Sequence, residues 1–148
     1  MKKLIFITLL FPFILNAQSI TKTKEILSIG SGSIIINEIK SYEDGKLTSD
    51  NILWMGRDAR FMHLIQTITV FHGSNEDFLH LLNNLIKFME DHEPGTSTTI
   101  GNTTISKSKL YGYEFLSIHP KDEIGYSSTT LKLLKKALKK YNKFIDKA

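Results

Sequence analysis

The sequence predicts an α+β fold, an antiparallel sheet with two helices packed on one face, in the order strands, helix, strands, helix. Three observations carry this. Short β-branched runs are joined by tight-turn signals such as Asp44-Gly45. Two longer stretches repeat apolar residues at helical spacing, each opened by a hydroxyl residue. No long helical crossover separates neighbouring strands, which argues against a parallel sheet.

The chain opens on a basic Met1-Lys2-Lys3, a nearly continuous apolar run from Leu4 to Leu15, and Asn16-Ala17-Gln18. That layout is a secretory signal peptide over residues 1–17, cleaved after Ala17. The apolar run is twelve residues long, against the about 20 that a spanning helix needs. An exported, periplasmic or extracellular chain of residues 18–148 is therefore expected, folded as a single domain. It has no later stretch apolar enough to cross a membrane.

Each element of that domain has a local reason. Gln18 to Glu25 is polar and Lys/Thr-rich, and is expected to be a loose lead-in. Ile26 to Ile29 starts a strand that Gly30-Ser31-Gly32 stops. Ser33 to Ser41 is a strand by its β-branched content, and Glu43-Asp44-Gly45-Lys46 turns it. Ile52 to Gly56 is a short strand, and Arg57-Asp58-Ala59-Arg60 a connection. Phe61 to His72 alternates as a strand, with Met62, Leu64, Ile68 and Val70 on one side.

Ser74, with Asp77 three residues on, caps the first helix, whose buried face is Phe78, Leu81, Leu82, Leu85, Phe88 and Met89. Pro94-Gly95 ends it. Thr96 to Ser108 is rich in hydroxyls, with a hairpin at Gly101-Asn102. Tyr111 to His119 is an aromatic strand stopped by Pro120, and Ile124 to Ser127 one more. Thr129 or Thr130 caps the last helix, whose apolar line is Leu131, Leu134, Leu138, Tyr141 and Ile145. At an offset of 52, Gly73, Leu79, Leu81, Leu82 and Lys87 fall in step with Gly125, Leu131, Leu133, Leu134 and Lys139. Helical periodicity alone puts leucines in step in this way.

The absence of cysteine removes disulfides, thiolate metal sites, thiol nucleophiles and a lipoprotein anchor. The formal charge of +4 falls to +2 once Lys2 and Lys3 are removed. From Leu131 onward seven lysines stand against Asp146 alone, so the basicity belongs to one helix. Lys132, Lys136, Lys139 and Lys143 lie on a face opposite the leucine line. Such a face suits solvent, and it also suits weak binding to an anionic surface. It lacks the interleaved aromatic residues of a nucleic-acid site, so no nucleic acid is expected.

Catalytic signals are sparse. The five histidines, His63, His72, His80, His92 and His119, make no metal-ligand spacing. Asp91-His92-Glu93 reads as a solvated helix end. Gly30-Ser31-Gly32-Ser33 precedes a strand, so it forms neither a phosphate cradle nor a nucleophile elbow. Asn102-Thr103-Thr104 matches a glycosylation acceptor, of little weight in a chain of bacterial appearance. Trp54, flanked by Arg57 and Arg60, is a candidate binding edge, because Trp and Arg dominate interface energetics; the competing reading is ordinary core packing in a short strand, the usual place of a large aromatic ring. The expected function is an exported non-enzymatic binding protein of the cell envelope, without cofactor, whose partner is a protein or an envelope polymer. The alternatives are a small envelope-glycan hydrolase working through two acids, or an inhibitor or immunity factor of a secreted enzyme.

Overall fold

Turn chemistry and caps place most elements of the computed structural model, which describes residues 19–31, 33–61 and 66–147. The first half runs β1 (Ser19–Ile29), β2 (Ile34–Glu43), β3 (Lys46–Arg57), β4 (Thr67–Gly73) and α1 (Asn75–Asp91). The second runs β5 (Ser97–Ile100), β6 (Thr103–Leu110), β7 (Tyr113–Pro120), β8 (Ser127–Thr129) and α2 (Leu131–Ile145). Each half forms one four-stranded antiparallel sheet with its strands in chain order. The α+β class and the strands–helix–strands–helix order are those the sequence predicts, with the strands divided between two sheets.

Both halves follow one plan, four strands and then a helix. Ser74 and Thr130 are the two N-caps, each side-chain oxygen accepting the backbone N–H three residues on. The offset that brings Ser74 onto Thr130 is about one helical turn longer than 52. The leucine match at 52 is thus a product of helical periodicity, while the shared plan lies in the strand order.

Four boundaries differ from expectation. The strand expected from Ile52 begins at Lys46, where β3 is already paired with Glu43 of β2. The Lys/Thr-rich lead-in is strand: β1 pairs with β2 from Ser19↔Glu43 onward. Its residues are exposed up to Glu25, so no apolar alternation marked it. Tyr111-Gly112 is a turn, with φ of 49° and 83°, and β6 extends to Leu110. The last strand starts at Ser127, because Ser127 pairs with Ile118 and also meets Asp58 in an isolated bridge. Ile68 and Val70 share the buried side of β4 as expected; Met62, His63 and Leu64 lie outside the described residues.

The core unites the halves. Phe78 of α1 meets Trp54 of β3 edge-on at 6.2 Å and Tyr141 of α2 at 4.7 Å, an arrangement that aromatic quadrupoles favour. The Tyr141 hydroxyl donates to Asn75 at the start of α1, and burial pushes its pKa up. On α2 the buried line is Leu134, Ala137 and Tyr141, with Leu138 half-buried and Ile145 exposed. The small Ala137 lets α2 approach closely, and this rotates Leu138 toward the rim.

Between the sheets, the Ala59 N–H donates to Tyr126 O at 2.8 Å, and the Thr69 N–H donates to Glu123 Oε1 at 3.0 Å. Gly56 lies so close to Ser127 that a side chain there would overlap the serine. A second link joins α1 to the second sheet. The last turn of α1 contains no basic residue, so its terminal carbonyls lack a cation of their own. Lys107, on the inner face of β6 and only 6% exposed, donates to Met89 O and His92 O, both at 2.8 Å, and pairs with Glu114 at 2.9 Å.

Two outcomes follow for stability. Lys107→Met should cost about 1–3 kcal/mol in chemical denaturation, because the buried Met89 carbonyl loses its donor. Leu134→Ala should cost about 2–5 kcal/mol, and Leu138→Ala clearly less, since Leu138 keeps solvent contact; equal losses would mean that α2 packs on a different face.

Candidate functional site

Alternation along β6 and β7 sorts their side chains by face. Thr103, Ile105 and Lys107 of β6 and Leu116 and Ile118 of β7 are buried on the inner side. The residues between them therefore face outward. The cross-strand register then aligns Ser97 with Ser106, Ser106 with Ser117, and Ser117 with Ser128. One row of serines crosses all four strands on the outer face of the second sheet. None of the four hydroxyls has a hydrogen-bond partner among the described residues.

Apart from Ser108, taller residues flank this row. On one side run Thr99, Thr104 and His119, with the His119 ring stacked on Tyr126 at 4.8 Å. On the other side Ser108 pairs with Phe115, and beyond them Leu110 pairs with Tyr113. The serines, the smallest side chains present, form the floor of a shallow trough. At the β8 end the trough deepens into a pocket of about 430 Å³ lined by Ser117, Ser128, Phe115 and Tyr126, with Ser33 and Arg57 from the first half.

Asp58 braces that end. Its side chain is wholly buried; it accepts from the Arg60 backbone N–H at 3.0 Å and from the guanidinium at 2.7 Å. The hydrogen-bonded Arg60 guanidinium holds the Asp58 carboxyl below the usual carboxylate range, while burial acts in the opposite sense. Among the residues proposed from sequence, Arg57 and Arg60 thus do sit together, at the pocket rim and in its brace. Trp54 does not join them. It is fully buried against Phe78, because even-numbered residues of β3 from Ile52 to Gly56 face the core, so its place on a binding edge is corrected.

Lys132, Lys136, Lys139 and Lys143 are all exposed on α2, away from the trough residues, and Lys135 pairs with Glu90 of α1. Among the described residues, no helix is long and apolar enough to cross a membrane. Among the same described residues, no three His, Asp or Glu side chains gather as a metal would need.

A second cleft, about 720 Å³, lies between β4, α1 and the turns of the second sheet, and contains His72, Asp77, His80, Asp122 and Glu123. Two of its acids have structural partners: Asp77 accepts from the Ser74 hydroxyl at 2.7 Å, and Glu123 accepts from the Thr69 N–H. His80 lies beside Asn84 at 3.2 Å. The serine row was hidden in the sequence because its members come from four strands. The hydroxyl-rich stretch Thr96 to Ser108 was its visible part.

No protein-family model matches the chain, and no curated protein matches it. A solved structure of SsgB from Streptomyces coelicolor, in which mutations correlate to longitudinal cell division during sporulation, aligns with 87% of this chain and 90% of its own. The identity is 12% and the TM-score 0.38. A likeness that faint carries no inference about what this chain binds.

Asp58 gives the site a pH signature. A carboxyl held low in the folded state stabilises the protein above its unfolded pKa of about 3.9, and that contribution is lost as pH falls through the lower folded value. Asp58→Asn should therefore lower the thermal midpoint at pH 7, and the gap to wild type should shrink below about pH 4. A gap independent of pH would contradict the ion pair.

Proposed function

We propose that residues 18–148 form an exported, non-enzymatic binding protein of the cell envelope, which engages a protein or an envelope polymer through the outer face of the second sheet. The signal-peptide layout of residues 1–17 supports the address. The observation that carries the binding role is the serine row itself. Serine is neither β-branched nor aromatic, so the row gains none of the packing that favours such residues in strands. Its hydroxyls do not satisfy one another or the backbone. Four donor–acceptor groups left in register, beside exposed aromatic rings, are arranged for an external ligand.

The charge pattern agrees. Charged residues make up 23% of the chain, yet the rows just described contain only hydroxyl, aromatic, leucine and histidine side chains. Contact surfaces are depleted in charge at their centres and enriched in aromatic residues.

Affinity capture from envelope extract tests this. A chain with Ser106→Glu and Ser117→Glu should retain about tenfold less of whatever the wild type retains, since a bound partner would have to bury unpaired carboxylates. Lys132, Lys136, Lys139 and Lys143 changed together to Gln should retain it undiminished. The reverse pattern would move the contact surface to α2 and refute the proposal.

A further inference from the structure

We infer that the occupant of the trough is an uncharged polysaccharide lying across the strands, with successive sugars over Ser97, Ser106, Ser117 and Ser128; this rests on the binding role proposed above. Adjacent strands are about 4.8 Å apart. That spacing is comparable to the advance per sugar along an extended glycan, so each strand offers one hydroxyl per sugar. A serine hydroxyl both donates and accepts. So do the hydroxyls of a sugar, and the match does not depend on which way round the glycan lies.

The walls fit the same ligand. A pyranose ring has an apolar C–H face that packs on aromatic rings, and Phe115, Tyr113 and the stacked His119–Tyr126 pair stand beside the floor. Tyr113 is 70% exposed. At the adjacent turn Tyr111 is 92% exposed with φ of 49°. That backbone region is costly for a bulky residue and suits Asn or Gly. An aromatic ring held there in solvent, next to Tyr113, extends the stacking surface at the trough's edge. The 430 Å³ pocket at the β8 end is in the range of small-ligand sites, enough for one sugar, with Arg57 and Ser33 at its rim.

Charge selects the polymer. The serine row and the rows beside it contain no Asp, Glu, Lys or Arg, and of the charged groups at the β8 pocket Asp58 is already paired with Arg60, so covering the rows with a neutral chain desolvates no ion. A polyanion would find no row of cations there, because the lysines are concentrated on α2. A second copy of the chain is disfavoured by area. A sheet of four short strands offers roughly 300–400 Å² on one face at this strand spacing. Stable interfaces bury about 800 Å² per partner.

The test is sedimentation of residues 18–148 with insoluble cellulose, chitin and β-1,3-glucan, and with the anionic polymer alginate as calcium gel, at low salt and at 1 M salt, run beside the envelope capture. Retention by at least one uncharged polymer is expected, unchanged in high salt. It should fall about tenfold, roughly 1.4 kcal/mol, in Ser106→Glu/Ser117→Glu and in Phe115→Ala, and be kept in Phe115→Tyr. Should the double variant not fold, Ser108→Lys places a charge beside the same row from an exposed position. Retention by alginate alone, abolished by salt, would overturn the inference, as would retention by none of the polymers. If no uncharged polymer is retained but the Glu variant still loses its envelope partner, the glycan inference fails and the binding role stands. If that variant loses nothing in either assay, both fail.

Discussion

A buried ammonium group sets which way the second sheet faces. Lys107 reaches under the end of α1 and hydrogen-bonds the Met89 and His92 carbonyls, with Glu114 as counter-ion. A lysine so enclosed is costly unless all its contacts are met, and they are met in one register only. Because a strand alternates its side chains, placing Lys107 inward with Ile105 forces Ser106 and Ser108 outward. A slip of one residue would expose the ammonium and the isoleucine and bury the serines. The trough is thus fixed by a charge on the opposite side of the sheet.

The rest of the architecture gives that sheet a rigid support. Each half has one sheet, whose inner face must be covered, and the two helices pack together to cover them. The two helices meet through Phe78 and Tyr141, so the halves share one core. Where β3 ends, Gly56 admits Ser127 at close range and Asp58 bridges to the same serine. This contact brings Ser33 and Arg57 of the first half over the end of the serine row. Two halves of one plan thus form, where they meet, a pocket lined by residues of both.

Local chemistry was legible in the sequence, and long-range register was not. Asp44-Gly45 has both residues at positive φ, 49° and 76°, as its hairpin signal implied. The caps at Ser74 and Thr130 and the end of α1 before Pro94-Gly95 followed from side chains within a few residues. The strand over Ser19–Glu25 was missed because its pairing with β2, not a buried face, holds it. Trp54 was ambiguous between core and surface until the pleat of β3 was known. The serine row escaped because four serines spread over distant positions have no local spacing to read. Lys107 looked like any other lysine in a hydroxyl-rich segment, since its partners are carbonyls on another element.

We propose that this protein meets its ligand on the outer face of the second sheet. Residue-resolved NMR of residues 18–148, titrated with a soluble oligosaccharide of whichever uncharged polymer is retained, or otherwise with the partner captured from envelope, addresses it directly. The account predicts shift changes centred on Ser106, Ser117 and Ser128 and spreading to Phe115 and Tyr126, with Lys132 to Lys143 unmoved. Changes confined to α2, or to the cleft around His72, His80 and Glu123, would contradict it.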